Sequence, residues 1–303
     1  MTKRMTARGL MERKERGEKI TMLTAYDYPT ARIIDAAGVD AILVGDSLGN
    51  VVQGQATTLS VTLEDILYHT RMVARAVDQA LVVADMPFLT YQVSPEEALR
   101  NAGRLMQDGG AQSVKLEGGT EVAPTVRRLV EVGIPVIGHI GLTPQSVHAL
   151  GFRVQGRTAE AAARLMESAF ALEDAGACAI VMELLPAEVS AEISRRLKVP
   201  TIGIGSGGGC DGQVLVLHDM LGIGGGVLRH NRRYAEIGQA IKDAAVSYAH
   251  DVREGAFPGP EHATTLGDAE ADVLAAVRRV ERRHPEGVRE GSGEVGNPYG
   301  GPR

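Results

Sequence analysis

The sequence predicts an α/β protein, a (β/α)8 barrel with a helix before it and a C-terminal extension after it. Three observations predict it. Short β-branched apolar runs recur along the chain, helical patterns separate them, and titratable side chains close five of the runs. Short continuous apolar runs read as parallel strands buried on both faces. Strands alternating with helices imply βαβ units and a parallel sheet. Charges at several successive strand exits describe the mouth of a β/α barrel, where functional groups come from the C-terminal ends of different strands. Periodicity alone does not prove closure, so a doubly wound open sheet is the alternative.

The elements follow in order. Met11-Glu12-Arg13-Lys14-Glu15-Arg16 mixes both signs of charge without an apolar stretch. It reads as a solvated amphipathic helix leading into the first strand, not as a signal peptide. Strands are expected at 20–25, 41–45, 81–84, 113–116, 135–138, 179–182 and 201–204, with a weaker eighth at 220–223. Helices are expected at 62–76, where apolar residues fall near helical spacing, and at 95–107, 121–131 and 159–175. Ser94 before Pro95-Glu96-Glu97 is a helix start. Gly133 and Gly176 suit the positions after helix C-caps. Residues 1–262 are expected to form one catalytic barrel domain, and 263–303 a charged extension. Within it, 269–283 looks helical, and 286–303, rich in Gly, Arg and Pro, reads as a disordered tail.

Totals narrow the function. The chain has 303 residues, within the range of one barrel, and 44% of them are apolar, enough for a sizeable core. A net charge of −6 gives no field favouring nucleic acid or an anionic membrane. Cys178 and Cys210 make no disulfide framework, which suits a reducing cytosol. No apolar stretch approaches the length of a membrane span.

Asp46, Asp85 and Glu117 each follow an expected strand. Either Asp alone is most simply a helix N-cap or a salt-bridge partner. Taken together, three hard oxygen donors without a His or Cys cluster suit an octahedral Mg²⁺ that keeps waters for a substrate. Lys115 and Glu117 are two apart and share a strand face. They are a structural ion pair, or Glu117 lies near the metal while Lys115 neutralises an anionic substrate. A third option makes Lys115 a Schiff-base nucleophile, which nearby carboxylates would oppose. His139 is a hydrogen-bonded loop residue or, from its place on the ring of exits, a substrate contact. Glu183, before Leu184-Leu185-Pro186, is a capping carboxylate or a general base in apolar surroundings. The glycine-rich loop from Gly203 to Gly209 lacks a dinucleotide fingerprint and reads as a tight turn at the barrel mouth.

Several motifs occur in one order: Thr24-Ala25-Tyr26-Asp27, Val44-Gly45-Asp46-Ser47-Leu48-Gly49, Ala84-Asp85-Met86-Pro87-Phe88, Val114-Lys115-Leu116-Glu117-Gly118-Gly119, Gly138-His139-Ile140-Gly141-Leu142-Thr143-Pro144-Gln145 and Asp211-Gly212-Gln213. From about Tyr26 to His262 the chain closely resembles the ketopantoate hydroxymethyltransferase family. The resemblance implies a barrel of the phosphoenolpyruvate-binding superfamily, assembled as a homodecamer in the cytoplasm. It implies transfer of a hydroxymethyl group from 5,10-methylenetetrahydrofolate to 3-methyl-2-oxobutanoate, in pantothenate synthesis. It implies Mg²⁺ at Asp46 and Asp85 with Glu117 at the third carboxylate position. It further implies that Asp46, Ser47, Asp85, Lys115 and His139 line the keto-acid site and that Glu183 accepts the proton. Three places depart from the family pattern: its usual GIGAG has Ser206 here, its Pro-Lys-Phe element is replaced near Val227-Leu228-Arg229-His230-Asn231, and the charged extension after Ala263 has no counterpart in it.

Two competing readings remain at this point. One is a lyase of the same superfamily, which would present a reactive cysteine in a KKCGH-like loop that is not found here. The other is a non-catalytic keto-acid-binding barrel, against which the strand-end carboxylates argue, because a structural barrel could avoid buried unpaired charge.

Overall fold

A computed structural model describes residues 4–224 and 230–280 of the chain. Its strands are β1 (Ile20–Thr24), β2 (Ala41–Val44), β3 (Leu81–Asp85), β4 (Ser113–Glu117), β5 (Val136–Gly141), β6 (Ala179–Glu183), β7 (Thr201–Ile204) and β8 (Gly212–Leu215). All pair in parallel, in chain order, and β8 closes on β1 with Met22 opposite Val214. The sheet is therefore a closed barrel and not an open doubly wound sheet.

The eighth strand is Gly212–Leu215, which corrects the expectation at 220–223. That run instead ends a helical turn, Leu217–Met220, and Gly222 then turns the chain at φ 65°. The reason is physical. No helix separates β7 from β8, so the alternation that locates the other strands fails there. β8 also carries few apolar side chains. A Cβ at Gly212 would lie 2.5 Å from the Ile20 carbonyl oxygen, so only glycine lets β8 approach β1.

The helices lie close to expectation. Helix Leu63–Ala76 starts in a capping box between Thr62 and Asp65. Helix Pro95–Gln107 starts at Ser94, whose hydroxyl accepts from the Glu97 N–H. Helix Ala123–Glu131 begins two residues later than the expected 121, and helix Ala159–Asp174 follows. Gly133 and Gly176 stand at φ 88° and 95°, the left-handed conformation of a helix end.

Two apolar layers hold the barrel. Ile42, Val44, Val82, Ala84, Val114 and Leu116 face the surrounding helices. Leu43, Leu81, Val83, Ile137, Val181 and Ile202 fill the interior. The N-terminal helix, Ala7–Glu15, is not merely solvated: it stoppers the barrel from below. Leu10 is fully buried and packs with Ile20, Met22, Cys178 and Ala179. Polar bonds anchor the helix. Lys14 Nζ donates to Ser194 O, Val199 O and Asp211 Oδ2 at 2.8, 3.0 and 2.8 Å. Arg13 Nη2 pairs with Asp40 at 2.6 Å. Asp211, from one of the sequence motifs, also accepts from Thr201 N–H at 2.8 Å, so its work is structural. Leu10→Ala removes a buried leucine that nothing can refill, and a loss of about 2–5 kcal/mol in urea unfolding is expected. A loss below about 1 kcal/mol would mean that the stopper carries little of the fold.

The chain divides into two compact units, 1–242 and 243–303. Helix Ile237–Glu254 runs across that division. Within the second unit Tyr248 meets Phe257 edge-on at 5.8 Å, and a short helix, Glu270–Arg278, lies inside the expected 269–283. The expected tail at 286–303 and Val227-Leu228-Arg229 lie outside the described residues. Among the described residues no helix is long and apolar enough to cross a membrane.

Candidate active site

Strand alternation carries the titratable groups to one row. Val82 and Ala84 on β3, Val114 and Leu116 on β4, Val136 and Ile140 on β5, and Ile180 and Met182 on β6 all face the helices. Asp85, Lys115, Glu117, His139 and Glu183 therefore face the barrel axis. Register sets Asp85 beside Lys115 and Glu117 beside His139. Asp46 and Ser47 enter from the turn after β2. All seven line one cavity of about 350 Å³ at the C-terminal mouth of the barrel, with Phe152 on its apolar wall.

Lys115 sits at the centre. Its Nζ lies 2.8 Å from Asp85 Oδ1 and 3.8 Å from Glu117 Oε1. Burial opposes the ammonium, but the charges of Asp85, Glu117 and Asp46 outweigh it and its pKa is raised. A lysine held protonated in this way is not a Schiff-base nucleophile, and that option falls. His139 is sandwiched: Nδ1 is 3.4 Å from Glu117 Oε1, and Nε2 is 3.4 Å from Glu183 Oε2. Burial and Lys115 oppose its charge, yet the two glutamates push its pKa up to about 9. As an imidazolium it aims a proton at each glutamate, so its 3.4 Å approach to Lys115 Nζ is a contact between like charges.

The carboxylates divide. Burial, first, then Asp85 and Glu117 hold the Asp46 pKa well above the usual range, and burial raises that of Asp85. Burial also opposes ionisation of Glu117, but His139 and Lys115 overcome it and its pKa is lowered. Asp46 donates its backbone N–H to Asp85 Oδ2 at 3.1 Å, which makes the two neighbours. Glu117 turns instead toward His139 and toward the Gln145 N–H, which donates to its Oε2 at 3.0 Å. Among the described residues no three His, Cys, Asp or Glu side chains are arranged to hold a metal by themselves. Asp85 Oδ1 and Glu117 Oε1 are nevertheless fully buried and faced only by cationic side chains, Lys115 Nζ at 2.8 Å from the first and His139 Nδ1 at 3.4 Å from the second. Two adjacent aspartates of raised proton affinity, with such an oxygen beside them, fit a hard cation that takes its other ligands from substrate and water.

Glu183 is held by its backbone. Leu142 N–H donates to its carbonyl at 2.8 Å. Gly141 stands at φ 102°, and a Cβ there would lie 2.2 Å from that same oxygen. Ser206, the departure from the family pattern, is completely buried. Its hydroxyl donates to Met182 O at 2.7 Å and accepts from Leu185 N–H at 3.2 Å, fastening the chain on both sides of Glu183. Cys178 and Cys210 are buried and neither lines the cavity, so the lyase reading finds no reactive cysteine.

Three residues of the site had no role in the sequence reading. Tyr26 shares a 2.8 Å hydrogen bond between its hydroxyl and Ser47 Oγ. Burial raises its pKa to about 12, so it stays a neutral phenol. Tyr91 and Gln145 are buried behind the carboxylates. Gln145 ends a quoted motif, and a buried amide just past a strand exit was the available signal.

A model of the family described as ketopantoate hydroxymethyltransferase matches residues 4–260. The chain belongs to that family. A 3-methyl-2-oxobutanoate hydroxymethyltransferase of Chloroflexus aurantiacus is 56% identical over 268 residues, 88% of this chain and 95% of its own. The enzyme of that name from Nitratidesulfovibrio vulgaris is 52% identical over 280 residues, 91% of each chain. Solved structures are similar in fold at low identity. Phosphonopyruvate hydrolase in complex with oxalate and Mg²⁺ has a TM-score of 0.57 at 15% identity, covering 94% of this chain and 99% of its own. 2,3-Dimethylmalate lyase, a member of the PEP mutase/isocitrate lyase superfamily, has a TM-score of 0.54 at 19% identity, covering 90% and 98%. The ketopantoate hydroxymethyltransferase family member described here thus has the barrel fold of that superfamily.

Proposed function

We propose that this chain transfers a hydroxymethyl group from 5,10-methylenetetrahydrofolate to 3-methyl-2-oxobutanoate, giving 2-dehydropantoate for pantothenate and coenzyme A synthesis. The observation that carries this reading is the row of Asp46, Asp85, Lys115, Glu117, His139 and Glu183 around one cavity in a member of this family. Asp46 and Asp85 would hold a Mg²⁺ ion, with Glu117 beside them as the third carboxylate. When bound, the ion supplies Lewis acidity at the keto oxygen. Formal charge supports this. Asp46, Asp85, Glu117 and Glu183 face Lys115 and a protonated His139, which leaves two negative charges in excess. A divalent ion would balance them.

The chain's own residues do the rest. Lys115 and Ser47 orient the keto acid and offset its carboxylate. Glu183 removes the C3 proton, which breaks the C–H bond and leaves its electron pair in the enolate. C3 then bonds to the methylene carbon of the folate, both carbon–nitrogen bonds to that carbon break as the two nitrogens take up the proton removed from C3 and one proton of a water, and the hydroxide left from that water bonds to the carbon. His139, touching both Glu117 and Glu183, holds the two glutamates in register. The same proposal includes residues 1–262 as the catalytic domain, a homodecamer and a cytoplasmic setting.

The test is exchange of the C3 proton of 3-methyl-2-oxobutanoate into deuterated water, followed by NMR without folate. Exchange is expected with Mg²⁺ present, lost with EDTA and restored by added Mg²⁺. Exchange indifferent to EDTA would remove the metal from the reading, and no exchange under any condition would remove the enolisation step.

A further inference from the structure

We infer that Gln145 is a positioning residue that decides which oxygen of Asp46 is left for the cavity, with Tyr91 locking its amide. Every valence of the Gln145 side chain is used. Nε2 donates to Asp46 Oδ2 at 2.9 Å and to Met86 O at 3.0 Å. Oε1 accepts from Tyr91 OH at 2.8 Å and from Gln92 Nε2 at 3.3 Å. Two donors and two acceptor sites are all that a primary amide has. The amide also has one orientation only. Turned over, Oε1 would face a carboxylate oxygen and a carbonyl oxygen with no proton between them.

Gln145 thus works on two carboxylates by different means. Its side chain ties Asp46 Oδ2, so Oδ1 is the oxygen free of that tie. Its backbone N–H, the first free donor of the turn Pro144–Ser146, ties Glu117 Oε2. Tyr91 completes the frame: its hydroxyl accepts from Glu117 N–H at 3.1 Å and lies 3.0 Å from Glu117 O. Gln145 is only 4% exposed and Tyr91 1%, so water cannot replace these bonds. Partners behind metal ligands fix carboxylate orientation in this manner, and removing them weakens metal affinity by about 10- to 100-fold.

This inference rests on the metal reading above, and one experiment separates the two. Mn²⁺ affinity is measured by EPR for the wild type, Gln145→Met, Tyr91→Phe and the double variant, with a melting curve for each. Methionine keeps the length of the side chain and removes only the amide, leaving the N–H bond to Glu117 in place. Gln145→Met is expected to bind Mn²⁺ about 10- to 100-fold more weakly. Tyr91→Phe should weaken it less, and the double variant no more than Gln145→Met alone. Gln145→Met binding as tightly as the wild type would overturn the inference, as would full additivity in the double variant. Should Gln145→Met fail to fold, Tyr91→Phe decides: weakened binding with an unchanged melting curve supports the inference, and unchanged binding overturns it. A wild type that binds no Mn²⁺ would overturn the metal reading itself.

Discussion

Glu183→Gln is expected to slow exchange of the C3 proton of 3-methyl-2-oxobutanoate by about 10²- to 10⁴-fold, the usual worth of a positioned acid–base group. The substitution keeps shape and removes the negative charge together with the ability to take up a proton. Glu183 fits the role by place. It lies at the exit of β6, its side chain is 14% exposed, and it lines the cavity across His139 from Glu117. Its backbone is clamped by Leu142, Gly141 and Ser206, so the carboxylate meets the substrate from one direction. Asp46 follows β2 and Asp85 ends β3, away from Glu183 on β6, so Mn²⁺ should bind to Glu183→Gln as it does to the wild type. NMR reads the exchange and EPR the ion. Exchange at the wild-type rate would refute the assignment of Glu183 as the base.

Lys115→Met is expected to cost about 3–5 kcal/mol of stability, the usual effect of removing one partner from a buried ionic cluster. Lys115 is 4% exposed, and Asp46, Asp85 and Glu117 are each 5% exposed or less. The cost should depend on pH, and the sign follows from the shifts. Asp46 and Asp85 have folded pKa values raised above the unfolded values. A raised carboxyl takes no stability away below its unfolded pKa of about 4 and takes progressively more away as pH climbs toward its folded value. Lys115 lowers both. Glu117 has a lowered pKa that Lys115 helps to maintain, so its contribution is present above about 4.3 and shrinks with the lysine gone. All three effects point the same way. The deficit of Lys115→Met in urea unfolding should be small near pH 4, grow toward pH 8, and be partly recovered by Mg²⁺. A deficit that ignores pH would mean that Lys115 stabilises by packing and not by charge.

Much of this was legible in the chain because parallel strands advertise themselves. β2, β3 and β6 are unbroken apolar runs, each ended by one charge, and Lys115 and Glu117 lie two apart on β4 with Val114 and Leu116 between them. Those facts alone place the row of site groups on the inner face. What was not legible depended on distance or on glycine. β8 is announced by Gly212, whose value lies in the side chain it lacks. The Gln145 amide joins Asp46, 99 residues away, and Tyr91, 54 away, and no local pattern encodes such a meeting. Glu117 stands where expected, but only the folded site reveals that it also meets His139 and the Gln145 N–H. The helix at the N-terminus looked solvated because its charges outnumber its one decisive leucine.

That leucine has a consequence for traffic. With Leu10 stoppering the floor and apolar side chains filling the shaft above it, the carboxylates open, among the described residues, toward the mouth and not through the base of the barrel. A molecule seated against them would have no back exit, so anything docked over it would have to leave first.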